Sequence, residues 1–181
     1  EPVVRQGAYV TYQPGQSFTG WQVIGPSGGV SPISGGYTHS GIRFVSREGT
    51  QWLDLTGPAA STGMGVQQTV QVTPGMLSAL ACWVANVSAG GFGNVSTVEV
   101  LVDGQSLGLA RNDQFMPGQQ GWGRFDMQVT ATGSTMTLAF VNRDPSNDNS
   151  NGLDAVSLVP AKVGTKQVTP SGIVTFARLV Q

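Results

Sequence analysis

Apolar and polar residues alternate with a period of two along most of this chain, and helical spacing is almost absent. Val98, Val100 and Val102 share one side of a stretch whose other side carries Thr97, Glu99 and Leu101. Phe125, Met127 and Val129 alternate with Asp126, Gln128 and Thr130, and Met136, Leu138 and Phe140 alternate with Thr137 and Ala139. Val156 and Leu158 continue the pattern, Leu53 and Leu55 alternate with Trp52 and Asp54, and Val70 and Val72 lead into Thr73-Pro74-Gly75. Residues two apart share a face of a β-strand, so each series predicts a strand with one face turned toward a core. The intervening signals fit: Asp103-Gly104 tolerates positive φ at both positions and predicts a tight hairpin, with further turns at Thr73-Pro74-Gly75 and Gly133-Ser134. About eight or nine strands at roughly 8–15-residue spacing predict an all-β fold, a two-sheet antiparallel sandwich. Residues 112–122 and 142–152 are the long polar loops. Residues 1–159 read as one sandwich domain, 160–171 as a linker and 172–181 as a final strand.

Composition narrows the setting. A chain of 181 residues is long enough to bury a single core. Only 10% of residues are charged, against about 25% in an ordinary domain, and 26 glycines with abundant Ser, Thr, Asn and Gln supply the surface instead. A neutral polar skin of this kind suits a secreted, extracellular or cell-surface protein. The net charge of −1 leaves no basic stripe for nucleic acid. No apolar run approaches the ~18–20 residues of a transmembrane helix. No signal peptide is visible at Glu1, so an export signal is expected to have been removed. Cys82 has no partner for an internal disulfide and lies in the apolar run 77–85, where it reads as a small core residue.

The order of several short pieces resembles a known family. Gly20-Trp21, Gly49-Thr-Gln-Trp-Leu-Asp-Leu-Thr-Gly57, Val66-Gln-Gln-Thr-Val70, Thr73-Pro-Gly75 and Ala85-Asn86 are followed by Gly121-Trp122, the run 131–140 and Gly152-Leu-Asp-Ala-Val-Ser-Leu158. Over residues 1–159 this set is similar to the domain-of-unknown-function 642 family and its secreted relatives. These are jelly-roll sandwiches of the galactose-binding-like kind, close in shape to carbohydrate-binding modules. The resemblance implies a structural Ca²⁺ where the N-terminal segment meets the last core strand, at positions matching Asp154, Glu1 and Thr50. Asp154 also has a plainer reading, as an acceptor that caps a loop. The family's opening strand usually ends in an Asn-Gly-Ser-Phe-Glu-like motif, of which Glu1-Pro-Val-Val matches only the end. The oxygen-rich run 144–151 lacks the spacing and closing Glu of an EF-hand and reads as a solvated turn.

Sugar-binding surfaces set aromatic faces against the C–H face of a pyranose, with polar neighbours for its hydroxyls. Trp52 and Asp54 leave the main core together, opposite Leu53 and Leu55. Tyr37 lies with His39 in a Gly/Ser-rich loop, and Trp122 at a Gly-rich loop exit near Arg124. Trp52, Tyr37, Trp122 and Asp54 are therefore the candidate ligand residues, whereas Trp21 reads as structural and Trp83, in a strongly apolar strand, as a core residue. Catalysis has little to work with: there is one His, and no nucleophile elbow, zinc-protease helix or phosphate loop. Asn86-Val-Ser88 and Asn94-Val-Ser96 match the glycosylation sequon.

The tail is unusual. Ile173, Ala177 and Leu179 fall on one side of it, and Val174, Phe176 and Val180 on the other. A strand apolar on both faces is normally buried on both, and on an open edge it invites pairing. Two functions of different class follow. The first is a non-catalytic glycan-binding, lectin-like module for a glycan or cell-wall polysaccharide. The alternative is a structural subunit of an extracellular filament that self-associates by strand exchange through this tail.

Overall fold

A computed structural model describes residues 4–89, 91–145 and 150–161. Its strands, in chain order, begin with β1 (Ser17–Phe18), β2 (Trp21–Ile24), β3 (Ser31–Ser34), β4 (Thr38–His39), β5 (Ile42–Arg43) and β6 (Gln51–Asp54). The longer ones follow: β7 (Gly65–Gln71), β8 (Leu77–Val87), β9 (Ser96–Val102), β10 (Gln105–Asn112), β11 (Gln120–Thr130), β12 (Thr135–Asn142) and β13 (Gly152–Pro160). One sheet has the order β1-β2-β7-β12-β9-β10 and the other β11-β8-β13-β6-β3, while β4 and β5 form a separate hairpin. Every strand pair is antiparallel. This is the two-sheet antiparallel sandwich that the alternation predicts, with the jelly-roll form that the resemblance implies.

The two sheets close on the positions the pattern singles out. Leu55, Val84, Val98, Val100 and Phe140 are wholly buried, with Met136, Leu138 and Leu153 beside them. Burying side chains of this size stabilises the fold by about 1.5–3 kcal/mol each. Asp103 and Gly104 both take positive φ, at 49° and 77°, and close the β9–β10 hairpin. Cys82 is buried in this core, and desolvation pushes its thiol up to about 12.

Polar side chains lock the sandwich ends. The buried Asn86 amide donates to the carbonyls of Asn94, Asn112 and Gln114, so this sequon holds loops together from inside. Asn142 Oδ1 accepts from the Asp144 N–H and from Asn151 Nδ2, and Asn151 Nδ2 also reaches the Thr97 carbonyl. Asp144, Ser150 and Asn151 are buried, so the ends of the oxygen-rich run are structural rather than solvated. Residues 146–149 lie outside the described residues.

The structure departs from the sequence reading in four further places. Short strands β1 to β5 occupy 17–43, where the sequence offers little alternation. Trp83 is half-buried on the outer face of β8, its ring 4.0 Å beneath the Arg47 guanidinium, and is not a core residue. Trp122 stands within β11 rather than at a loop exit, and β13 runs on through Pro160.

Candidate functional site

The site is built on the outer face of the β11-β8-β13-β6-β3 sheet. On β6, Leu53 points into the main core, so Trp52 and Asp54 point out, and Ile33 of β3 pairs with Trp52 on the same face. Val87 of β8 joins them there. Between β8 and β6 runs Gly152 of β13. A Cβ at that position would lie 2.7 Å from the Ala85 Cβ, 3.2 Å from Trp52 Cε3 and 3.3 Å from Trp122 Cη2. Its absence lets the two indoles meet edge to face across the strand, with centroids 6.2 Å apart at 84°.

The 35–46 segment and the loop at Phe92 fold over this floor. Phe44 stacks on Trp52 at 5.6 Å and 16°, and the Phe92 edge meets both Phe44 at 5.7 Å and His39 at 6.0 Å. Tyr37 lies parallel to His39 at 6.3 Å, with Tyr9 edge-on to it at 5.8 Å. Trp122 Nε1–H donates to the Val45 carbonyl at 3.1 Å and pins the segment down. Ile33, Ile42, Phe44, Trp52, Val87 and Phe92 thus form a second buried cluster, separate from the inter-sheet core. Trp52 and Asp54 leave the main core as their alternation predicts, yet they are buried here, 3% and 7% exposed.

A cavity of about 470 Å³ opens beside this cluster. Its walls are aromatic at Tyr37, His39, Trp52 and Phe92 and polar at Ser31 and Asp54. The Asp54 carboxylate accepts from Thr56 Oγ1–H at 2.6 Å, from the Thr56 N–H at 2.9 Å and from the Asn151 N–H. Burial lifts its pKa from 3.8 to about 6, against the opposing pull of these bonds and that of the Gly57 N–H. The Tyr37 phenol is raised too, by burial and then by Tyr9. The Trp52 indole N–H is shielded from solvent and meets no acceptor among the described residues.

Three of the four ligand candidates, Tyr37, Trp52 and Asp54, therefore line one cavity, while Trp122 supports Trp52 from the side without lining it. His39, Phe44 and Phe92 complete the wall. Phe92 is an isolated aromatic in a Gly/Ser-rich stretch, and Phe44 lies in Ile42-Arg43-Phe44-Val45, a run too short to mark a face.

Asp154, one of the positions matched to calcium, also takes its plainer role as a loop acceptor. Asp154 Oδ2 accepts the main-chain N–H of Arg47 at 2.8 Å and of Glu48 at 3.2 Å, and Oδ1 accepts that of Ala155 at 2.7 Å. Calcium needs six to eight oxygen ligands, whereas here main-chain donors converge on the carboxylate. Thr50 is exposed and Glu1 lies outside the described residues. Through these bonds Asp154 clamps the 46–50 loop. Among the described residues no group of three or more His, Cys, Asp or Glu side chains gathers to hold a metal.

Several solved structures share the fold. The native structure of a family 35 carbohydrate binding module from Clostridium thermocellum is similar at 10% identity and a TM-score of 0.50, over 85% of this chain and 99% of that one. A xylan-binding domain from CBM 22 is similar at 17% identity and a TM-score of 0.51, over 84% of this chain and 95% of that one. The chain also spans 18% of a cycloisomaltooligosaccharide glucanotransferase from Paenibacillus sp., at 18% identity and a TM-score of 0.46 over 84% of its own length. For the first two, at these identities, the likeness is one of fold. No curated protein matches the sequence. The family described as "Protein of unknown function (DUF642)" matches residues 2–158, most of the chain and all but the end of the sandwich, and the protein belongs to that family.

Proposed function

We propose that this protein is a non-catalytic, extracellular carbohydrate-binding module that takes a neutral sugar in the cavity walled by Tyr37, His39, Trp52 and Phe92. The observation that carries the reading is the convergence of Tyr37, Trp52 and Asp54, far apart in sequence, on one cavity of about 470 Å³. That volume lies within the usual range for small-molecule sites. The aromatic rings offer apolar faces for a pyranose C–H surface, and Ser31, Asp54 and His39 offer donors and acceptors for hydroxyls. Asp54 is the one carboxylate lining the cavity among the described residues, and glycoside hydrolysis ordinarily needs a pair. The lining holds no Lys or Arg among those residues, which favours a neutral ligand over an anionic one. Two of the similar folds are a carbohydrate-binding module and a xylan-binding domain, and the low surface charge suits an extracellular setting.

A glycan array of neutral plant and microbial polysaccharides tests this, with the wild type beside Tyr37→Ala and Trp52→Phe. Tyr37 is only half-buried, so its truncation spares the core. The reading requires selective binding by the wild type and loss of about tenfold or more in Tyr37→Ala, or some 1.4 kcal/mol. Binding that both variants retain in full would remove the site.

A further inference from the structure

The apolar tail at 173–180 lies outside the described residues. Within them, the segment 35–46 brings Tyr37, His39 and Phe44 to the cavity, yet its strands β4 and β5 form a sheet of their own. At the start of the segment the Gly35 N–H donates to the Thr50 carbonyl at 2.7 Å, which extends the β3–β6 pairing by one residue. At its end both main-chain groups of Val45 are taken by side chains. The Val45 N–H donates to Gln120 Oε1 at 2.7 Å, and the Val45 carbonyl accepts from Trp122 Nε1–H at 3.1 Å. Gln120 and Trp122 stand two apart on β11, so both project from one face. Together they do for Val45 what a neighbouring strand would do. The Val45 side chain is 42% exposed, so these bonds hold the residue more than its own burial does.

Gln120 is the informative half of this clamp. It is 8% exposed and does not line the cavity, and its Nε2 is buried and meets no acceptor among the described residues. An amide that makes one hydrogen bond and leaves its own donors unpaired adds little net stability, because the orphaned group costs about what the bond gains. Stability alone therefore gives no reason for an amide here. We infer that Gln120 is a positioning residue of the sugar site, acting through Val45 on the wall that the 35–46 segment carries. The inference rests on the sugar-binding reading above. The path is short and continuous. Phe44, next to Val45, stacks on Trp52 at 5.6 Å and meets the Tyr37 ring at 6.0 Å. The Phe44 N–H donates to the Tyr37 carbonyl at 2.8 Å, and the Gly36 N–H donates to the Phe44 carbonyl at 2.6 Å. A shift of Val45 therefore moves Phe44 and Tyr37 together, and a binding site loses fit when its groups move by more than about 0.5 Å.

The test compares the full chain with two variants. Gln120→Met keeps the length of the side chain without its acceptor, and Gln120→Glu keeps an acceptor oxygen in either protonation state. Titration calorimetry with the best neutral oligosaccharide from the array reads affinity, at about pH 5, where a buried carboxyl is neutral. Urea midpoints read stability, and amide exchange by NMR reads Val45 without ligand. Gln120→Met is expected to bind about fivefold or more weakly at an unchanged midpoint, with a Val45 amide that exchanges about tenfold faster. Gln120→Glu is expected to restore both to within about twofold of the full chain, which a loss of packing alone would not allow. Gln120→Met that binds as the full chain does, or loses affinity only in step with its midpoint, would overturn the inference. So would a Val45 amide unmoved in Gln120→Met, even where affinity falls. If no sugar binds any of the proteins while that amide still exchanges faster, the clamp stands and the sugar-binding reading is what fails.

Discussion

Asp54 makes the buried wall of the cavity testable through pH. Its carboxyl is held protonated by the folded chain over a range in which an unfolded aspartate is ionised, because burial outweighs the hydrogen bonds from Thr56, Gly57 and Asn151. An acid raised on folding favours the folded state in acid. Its contribution is fully present below 3.8 and is lost as pH rises through about 6. The interval between those two values is worth roughly 3 kcal/mol. Urea denaturation of the wild type and Asp54→Asn from about pH 4 to pH 7 isolates this term, since asparagine cannot ionise. The wild type should lose about 2 kcal/mol relative to the variant across that window, the remainder being lost already below pH 4. Glu99, whose carboxyl is lowered by Ser106 and Arg143, contributes in the opposite sense at lower pH and is common to both proteins, so it cancels. A wild-type-minus-variant difference that stays flat with pH would show that Asp54 is solvated and that the cavity wall is not built as described.

Three further substitutions follow from the geometry. Gly152→Ala should cost about 1–3 kcal/mol by overpacking and weaken sugar binding, because its methyl group would displace Trp52 and Trp122; thermal unfolding and titration calorimetry measure the two effects. Asp154→Ala should cost about 1–3 kcal/mol by orphaning the Arg47, Glu48 and Ala155 amides, and Asp154→Asn less, both read from denaturation midpoints. Cys82 should resist thiol reagents in the native protein at neutral pH and react at the rate of unfolding, since burial holds its thiol up to about 12. Rapid modification under native conditions would contradict its placement.

The inter-sheet core is legible in the sequence because its residues come in series. Val98, Val100 and Val102, or Met136, Leu138 and Phe140, each announce a face by repetition. The second cluster does not repeat. Trp52 sits on the polar side of its own alternation, so the pattern shows that it leaves the main core but not that Phe44 and Phe92 cover it. Those covering residues come from irregular segments whose path depends on tertiary contacts, such as the Trp122 indole donating to Val45 across 77 positions. Trp83 misleads for the converse reason. Its neighbours Cys82 and Val84 are core residues on the opposite face of β8, and an apolar run hides the alternation between Ala81, Trp83 and Ala85 on the outside. Asp154 is readable as a loop acceptor, but its donors Arg47 and Glu48 lie over a hundred positions earlier, beyond the reach of any local pattern.

The central claim, that a sugar seats against the outer-face aromatic wall, is tested most directly by an NMR titration with the best neutral oligosaccharide from the array. The account predicts saturable shifts concentrated at Tyr37, His39, Trp52, Phe92 and Ser31, with intermolecular contacts from ring protons of the sugar to Tyr37. Shifts confined to the outward residues of the other sheet, such as Gln67, Thr69 and Thr137, would place the ligand elsewhere and contradict it.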